Sequence, residues 1–251
     1  MTHSAAELRR SESGTGPRLV VAVDGPSGSG KSSAARGVAT ALGLRYLDTG
    51  ATYRALTWWL LEHEVDVSDP AAVAGQAKSR SVEIGTDPGE QWVRIDGIDV
   101  TVEIRNRRVS NVVSLVASVP EVRRQLIALQ REIIAAAVES GGGIVAEGRD
   151  IGTVVAPDAD VKIFLTASEQ VRAERRAAEL AARQADGQVD LAADEAPSAA
   201  VTRLEQNRRD RRDAAQTQLA ADAVEIDATN LGLDEVIARI TALAAAKLAE
   251  A

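Results

Sequence analysis

The amino-acid sequence predicts an α/β fold: a doubly wound, five-stranded parallel sheet flanked by helices, with a small antiparallel insertion and a short lid. Three observations predict it. Five short apolar runs alternate with segments of helical period, the pattern of parallel strands joined by right-handed crossovers. The first run, Leu19 to Val23, leads through Asp24 into Gly25-Pro26-Ser27-Gly28-Ser29-Gly30-Lys31-Ser32, which fits the phosphate-binding turn G-x-x-x-x-G-K-[ST]. Between Ser81 and Val100 the apolar period drops to two, and Asp96-Gly97 stands between Ile95 and Ile98 as a hairpin turn.

Met1 to residue 17 is polar and lacks the apolar core of a secretory signal, so it is expected to be a flexible tail preceding one domain, 18–251. Leu19 to Val23 is apolar without alternation, as a strand buried on both faces should be. After the turn, Ala34, Ala35, Val38, Ala39 and Leu42 recur at helical spacing, and Gly43 occupies a C-terminal cap position. Leu44 to Leu47 is the second strand. The following helix carries Tyr53, Leu56 and Leu60 on one stripe, with Arg54 beside it. Asp69-Pro70 supplies an N-cap and a first-turn proline for another helix.

Beyond the antiparallel insertion, Thr101 to Ser118 is helical through Val109, Val112, Val113 and Val116. Pro120 opens a stronger helix whose buried stripe is expected at Val122, Leu126, Leu129, Ile133 and Ala137. Gly141-Gly142-Gly143 ends it. Ile144 to Ala146 is the third strand, followed by the polar turn Glu147-Gly148-Arg149-Asp150. Val161 to Leu165 is the fourth, and Ser168 caps a helix from Glu169 to Gln184 that bears Arg172, Arg175 and Arg176. An acidic connection, 186–198, precedes an arginine-rich helix reaching about Ala215. Ala223 to Asp227 is the fifth strand, and Val236, Ile237, Ile240, Leu243 and Ala244 mark the closing helix.

Composition narrows the function. A net charge of −8 argues against nucleic-acid or anionic-membrane binding driven by overall charge, so neither partner is expected. No apolar run approaches the roughly 18 residues of a membrane span. The chain has no cysteine, which excludes disulfides, thiolate catalysis and cysteine metal sites. A reducing cytoplasm is compatible and is the expected location.

In the phosphate-binding turn the candidate nucleotide contacts are Gly25, Pro26, Ser27, Gly28, Ser29, Gly30, Lys31, Ser32 and Ser33. Backbone N–H groups curl round phosphate oxygens, Lys31 reaches the β- and γ-phosphates, and the Ser32 hydroxyl is offered to Mg²⁺. Ligands of such sheets gather at the carboxyl ends of strands. After the second strand come Asp48-Thr49-Gly50, then Tyr53 and Arg54; after the third come Gly148-Arg149-Asp150. The arginines mark a second anionic ligand or make surface ion pairs. Asp150 would repel a phosphate, so it accepts from a sugar hydroxyl or base amino group, or holds an arginine in place.

Arg203, Arg208, Arg209, Arg211 and Arg212 form an RNA-binding face, a solvated face balanced by Glu205, Asp210 and Asp213, or a source of arginines that swing over a transferred phosphoryl group. Histidine catalysis is not expected, since His3 lies in the tail and His63 at a helix end. A phosphate acceptor is already ionised and needs no base.

The chain resembles the bacterial cytidylate kinases from Arg18 to the last helix. The resemblance is carried by Asp24 to Ser32, by Leu47-Asp48-Thr49-Gly50-Ala51-Thr52-Tyr53-Arg54, by Val102-Glu103-Ile104-Arg105, by Glu147 to Val155 and by Val161 to Leu165. It implies transfer of the γ-phosphoryl group of Mg-ATP to CMP or dCMP; a monomer is expected. It implies that the 81–100 insertion belongs to the monophosphate-binding region and that a lid spans about 169–198. Thr49, Tyr53, Arg54, Arg149 and Asp150 would hold the nucleoside monophosphate, Ser114 and Arg123 the cytosine surroundings, and Asp213 the sugar hydroxyls. Lys31, Arg149, Arg209 and the lid residue Arg175 would neutralise the phosphoryl group. One departure matters: the family arginine three residues after Asp213 is Gln216 here, which leaves Arg208 or Arg212 to replace it. The rival readings are a kinase of UMP, dTMP or another small acceptor, and a non-catalytic nucleotide- or RNA-binding protein.

Overall fold

The structure is a computed structural model describing residues 18–185, 204, 208, 210–214 and 216–250. The expected tail, the acidic connection 186–198 and Arg209 lie outside the described residues. In chain order the elements are β1 (Val20–Asp24), α1 (Lys31–Leu42), β2 (Arg45–Asp48), α2 (Thr49–Glu62), α3 (Pro70–Ala77), β3 (Val82–Ile84), β4 (Val93–Ile95) and β5 (Ile98–Asp99). A 3₁₀ turn, Glu103–Arg105, leads into α4 (Arg107–Ala117), α5 (Pro120–Glu139) and β6 (Ile144–Gly148). A π-helical turn, Ile151–Val155, precedes β7 (Val161–Thr166), α6 (Glu169–Ala185), β8 (Val224–Asp227) and α7 (Leu233–Glu250).

The main sheet is parallel, with order β2-β6-β1-β7-β8. The chain starts in the middle, builds to one side and then crosses to the other, so the expected doubly wound arrangement is present. Successive residues of β1 face opposite layers: Val21 and Val23 pack with Val38, Val236 and Ile240, whereas Ala22 packs with Leu47, Ile134 and Ile151. A second core under the insertion joins Leu56, Trp59 and Leu60 of α2 to Ile95, Ile104 and Leu126.

Local signals account for most boundaries. Gly43 adopts φ 65° and caps α1; the Asp69 carboxylate accepts from Ala71 N–H at 2.9 Å before α3. Asp96 and Gly97 both have positive φ, 50° and 79°, as the tight turn between β4 and β5 requires. This three-stranded antiparallel sheet abuts the parallel one: Tyr46 N–H, on edge strand β2, donates to Thr86 O at 2.9 Å.

Three expectations are corrected. Thr101 to Ser118 is not one helix, because Asn106 stops the 3₁₀ turn and caps α4, accepting from Val109 N–H at 2.8 Å. On α5 the buried face is Val122, Leu126, Gln130, Ile134 and Ala137, with Leu129 and Ile133 only half-buried. The stripe is rotated because the buried Gln130 has a polar partner: its Nε2 donates to Thr52 Oγ1 at 3.1 Å. In addition, Glu147 and Gly148 belong to β6 rather than to the turn after it.

Candidate active site

The turn 25–30 leaves the carboxyl end of β1 and ends at the first turn of α1. Gly25 has φ 146°, and a Cβ there would stand 2.1 Å from Leu165 O, so only glycine lets the turn pass against β7. Gly30, at φ 97°, supplies the left-handed residue from which α1 starts. The N-terminal end of α1 therefore faces the turn with its unpaired N–H groups and positive dipole end, a site for phosphate. Lys31 Nζ donates to Pro26 O at 2.9 Å. The Ser29 hydroxyl is buried and has no hydrogen-bond partner among the described residues.

Two cavities meet at this turn. One is lined by Ser29 to Ala34, Arg175, Ala228, Leu231, Leu233 and Val236, and offers apolar wall beside the phosphate turn. The other opens over β2 and β6. Thr49, Tyr53, Arg54, Ser114 and Arg123 line it, as do Arg149, Asp150 and Asp213. Every residue expected to hold the second ligand thus faces one chamber, with Lys31 at its floor.

Each side chain is fixed by its element. Thr49 begins α2 and donates to Glu147 O at 2.8 Å; Arg54, one turn on, donates to Ser110 Oγ of α4 at 2.9 Å. Arg123, on α5, is ion-paired with Asp150. Arg149 donates to Gly25 O at 2.7 Å and pairs with Asp213 at 3.2 Å. Arg175 donates to Ser29 O at 3.2 Å and to Ala228 O at 2.8 Å, facing the apolar-walled cavity. Its neighbour Arg176, paired with Glu179 at 2.7 Å, lines both cavities. Gln216 lines the second chamber and donates to Ala117 O at 3.4 Å, whereas Arg208 and Arg212 are exposed.

Asp24, Asp48, Arg105 and Glu147 carry no role in the sequence reading, whereas Arg172 and Arg176 stand there with Arg175 as arginines of the lid helix. Parallel register places Asp48 of β2 beside Glu147 of β6, two buried carboxylates at adjoining strand ends. Glu147 accepts from Ser32 Oγ at 2.6 Å and from Tyr46 OH at 3.2 Å. Asp48 accepts from Ala51 N–H at 3.0 Å and pairs with Arg105 at 2.6 Å. Arg172 donates to Ser27 O at 3.0 Å and pairs with Asp210. An acidic residue closing an apolar strand was the available signal for Asp24, Asp48 and Glu147. Arg105, which arrives from 57 residues away, is marked in the sequence only by the family motif Val102-Glu103-Ile104-Arg105.

Charge is tuned by burial. Desolvation, then the Arg149 charge, lowers Lys31 to about 8. Burial raises Asp24 to about 6 against the pull of two backbone N–H groups. Burial and the neighbouring Asp48 raise Glu147, while Arg105 and Arg54 overcome burial and hold Asp48 below the usual carboxylate range. Burial pushes Tyr53 up to about 12, so it meets a ligand as a neutral hydroxyl.

The donor chemistry fits a nucleotide-borne Mg²⁺, an ion that keeps several waters and takes few protein ligands. Ser32 presents a hydroxyl at the phosphate turn, backed by the Glu147 carboxylate.

A parallel sheet with a phosphate turn at its switch point and an arginine-lined chamber beside it defines a P-loop phosphotransferase of small anionic acceptors. A family model described as cytidylate kinase matches residues 21–246. The cytidylate kinase of Streptomyces avermitilis is 44% identical over 239 residues, covering 94% of this chain and 96% of that one. That of Streptomyces griseus is 47% identical over 233 residues, covering 91% and 94%; that of Geobacillus kaustophilus is 43% identical over 227 residues, covering 89% and 95%. The chain belongs to the cytidylate kinase family.

Proposed function

We propose that the protein transfers the γ-phosphoryl group of Mg-ATP to CMP or dCMP, yielding CDP or dCDP and ADP. The observation that carries this reading is the convergence of Thr49, Tyr53, Arg54, Ser114, Arg123, Arg149, Asp150 and Asp213 on one chamber that shares Lys31 with the phosphate turn. ATP lies with its phosphates on the turn and its base against Leu231, Leu233 and Val236. Lys31 reaches the β- and γ-phosphates, and Ser32 holds Mg²⁺, which spreads the charge of the transferring group when bound. Arg54 and Arg149 hold the acceptor phosphate. Asp213 accepts from sugar hydroxyls, and Asp150, Arg123 and Ser114 surround the pyrimidine edge.

The attacking oxygen is already ionised, so the protein contributes position and charge neutralisation rather than a base. Arg176, which faces both cavities, takes the place between donor and acceptor left open by the neutral Gln216, and Arg175 stays with the donor. Arg209, which lies outside the described residues, is assigned to the transferred phosphoryl group by the family resemblance.

The test is ADP release with Mg-ATP and CMP, dCMP, UMP, dTMP, AMP or GMP at equal low concentration. Fastest turnover with CMP and dCMP is expected. Fastest turnover with UMP or dTMP reassigns the acceptor, and ATP binding without turnover on any of the six overturns the kinase reading.

A further inference from the structure

Asp24 closes β1 and is 4% exposed, yet both its carboxylate oxygens are committed to a turn on the acceptor side. Oδ1 accepts from Ile151 N–H and Oδ2 from Gly152 N–H, each at 2.8 Å. A helical turn leaves its first N–H groups unpaired, and Asp150 at the N-cap position supplies no side-chain bond to the 151–155 turn. The cap comes instead from another strand.

The residue after Asp24 is the first glycine of the phosphate turn, and its carbonyl accepts from Arg149 at 2.7 Å. Residues 24–25 and 149–152 are therefore tied by three hydrogen bonds, all running from N–H groups of 149–152 to oxygens of 24–25. A donor-side carboxylate holds acceptor-side amides, and an acceptor-side guanidinium holds a donor-side carbonyl.

We infer that Asp24 is a positioning residue: by capping the 151–155 turn from the end of β1, it fixes Arg149 and Asp150 against the phosphate turn, so that filling one cavity is felt in the other. The inference rests on the reading of the arginine-lined chamber as the acceptor site. An asparagine at 24 keeps the size but offers one acceptor oxygen, and turns an NH₂ group toward the second amide. Asp24→Asn is expected to raise KM for CMP about tenfold and to lower kcat, with KM for ATP changed less than about twofold. KM values that rise together, or neither rising, would overturn it.

Amide exchange tests the same link in the wild-type protein. CMP alone is expected to slow exchange across 25–30, and Mg-ATP alone across 149–152; both effects are lost in Asp24→Asn. Protection confined to the occupied side in the wild-type protein overturns the inference even where the variant does not fold. A wild-type protein that makes no CDP overturns the functional reading instead, and the ATP-induced protection at 149–152 still decides the role of Asp24.

Discussion

Lys31 and Arg149 show how single residues divide the work. Burial and the Arg149 charge set the Lys31 ammonium to about 8, so the free protein loses that charge as pH rises through 8, while the phosphates of ATP stay ionised. ATP affinity therefore falls with rising pH, approaching about tenfold per unit well above 8. Calorimetric titration with ATP from pH 7 to 9.5 checks the slope, and Lys31→Ala should remove it while cutting kcat by about two to three orders of magnitude. Arg149 lines the other cavity. Arg149→Ala is expected to raise KM for CMP by about one to two orders of magnitude, as loss of hydrogen bonds to a charged group would, with a smaller effect on ATP binding through the lost bond to Gly25 O. Initial rates across CMP concentration measure it.

At the scale of elements, α4 carries Ser110, the partner of Arg54, and Ser114 of the chamber wall. Its start depends on Asn106. Asn106→Ala should cost about 1 kcal/mol of stability in urea denaturation and weaken CMP use with it. That cap was present in the sequence but masked by the apolar residues on both sides, Val102 and Ile104 before it and Val109 to Val116 after it, which suggest one helix through Thr101 to Ser118 and conceal the break. The phosphate turn, α1, α3 and the Asp96-Gly97 hairpin were legible because each carries its own chemistry: a left-handed glycine, a side-chain cap, a first-turn proline. The stripe of α5 was not, since the buried Gln130 finds its polar partners on α2, with Thr52, 78 residues earlier, accepting from it. The arginines after strand ends were readable for the same reason as the turn, whereas the Asp48–Arg105 and Asp24–Gly152 contacts depend on tertiary approach that no local spacing encodes.

For the whole molecule, the phosphate turn is gripped from several directions: β7 lies against Gly25, Arg149 holds its carbonyl, Arg172 holds Ser27 O and Arg175 holds Ser29 O. Ligand at that turn should stabilise the entire fold. Mg-ATP at a hundred times its Kd contributes about 2.7 kcal/mol by mass action, and a thermal melt should rise by about 5–10 °C. The contact between Tyr46 N–H and Thr86 O has a different consequence. β2 is the outermost strand on its side of the parallel sheet, and the antiparallel insertion occupies part of its outward hydrogen-bonding edge. An uncovered edge is a template onto which a strand of another molecule can add. The insertion thus shields part of an edge onto which another strand could add, and a side chain at Gly85, whose Cβ would stand 2.5 Å from the Trp92 indole nitrogen, is expected to lower solubility before it impairs chemistry.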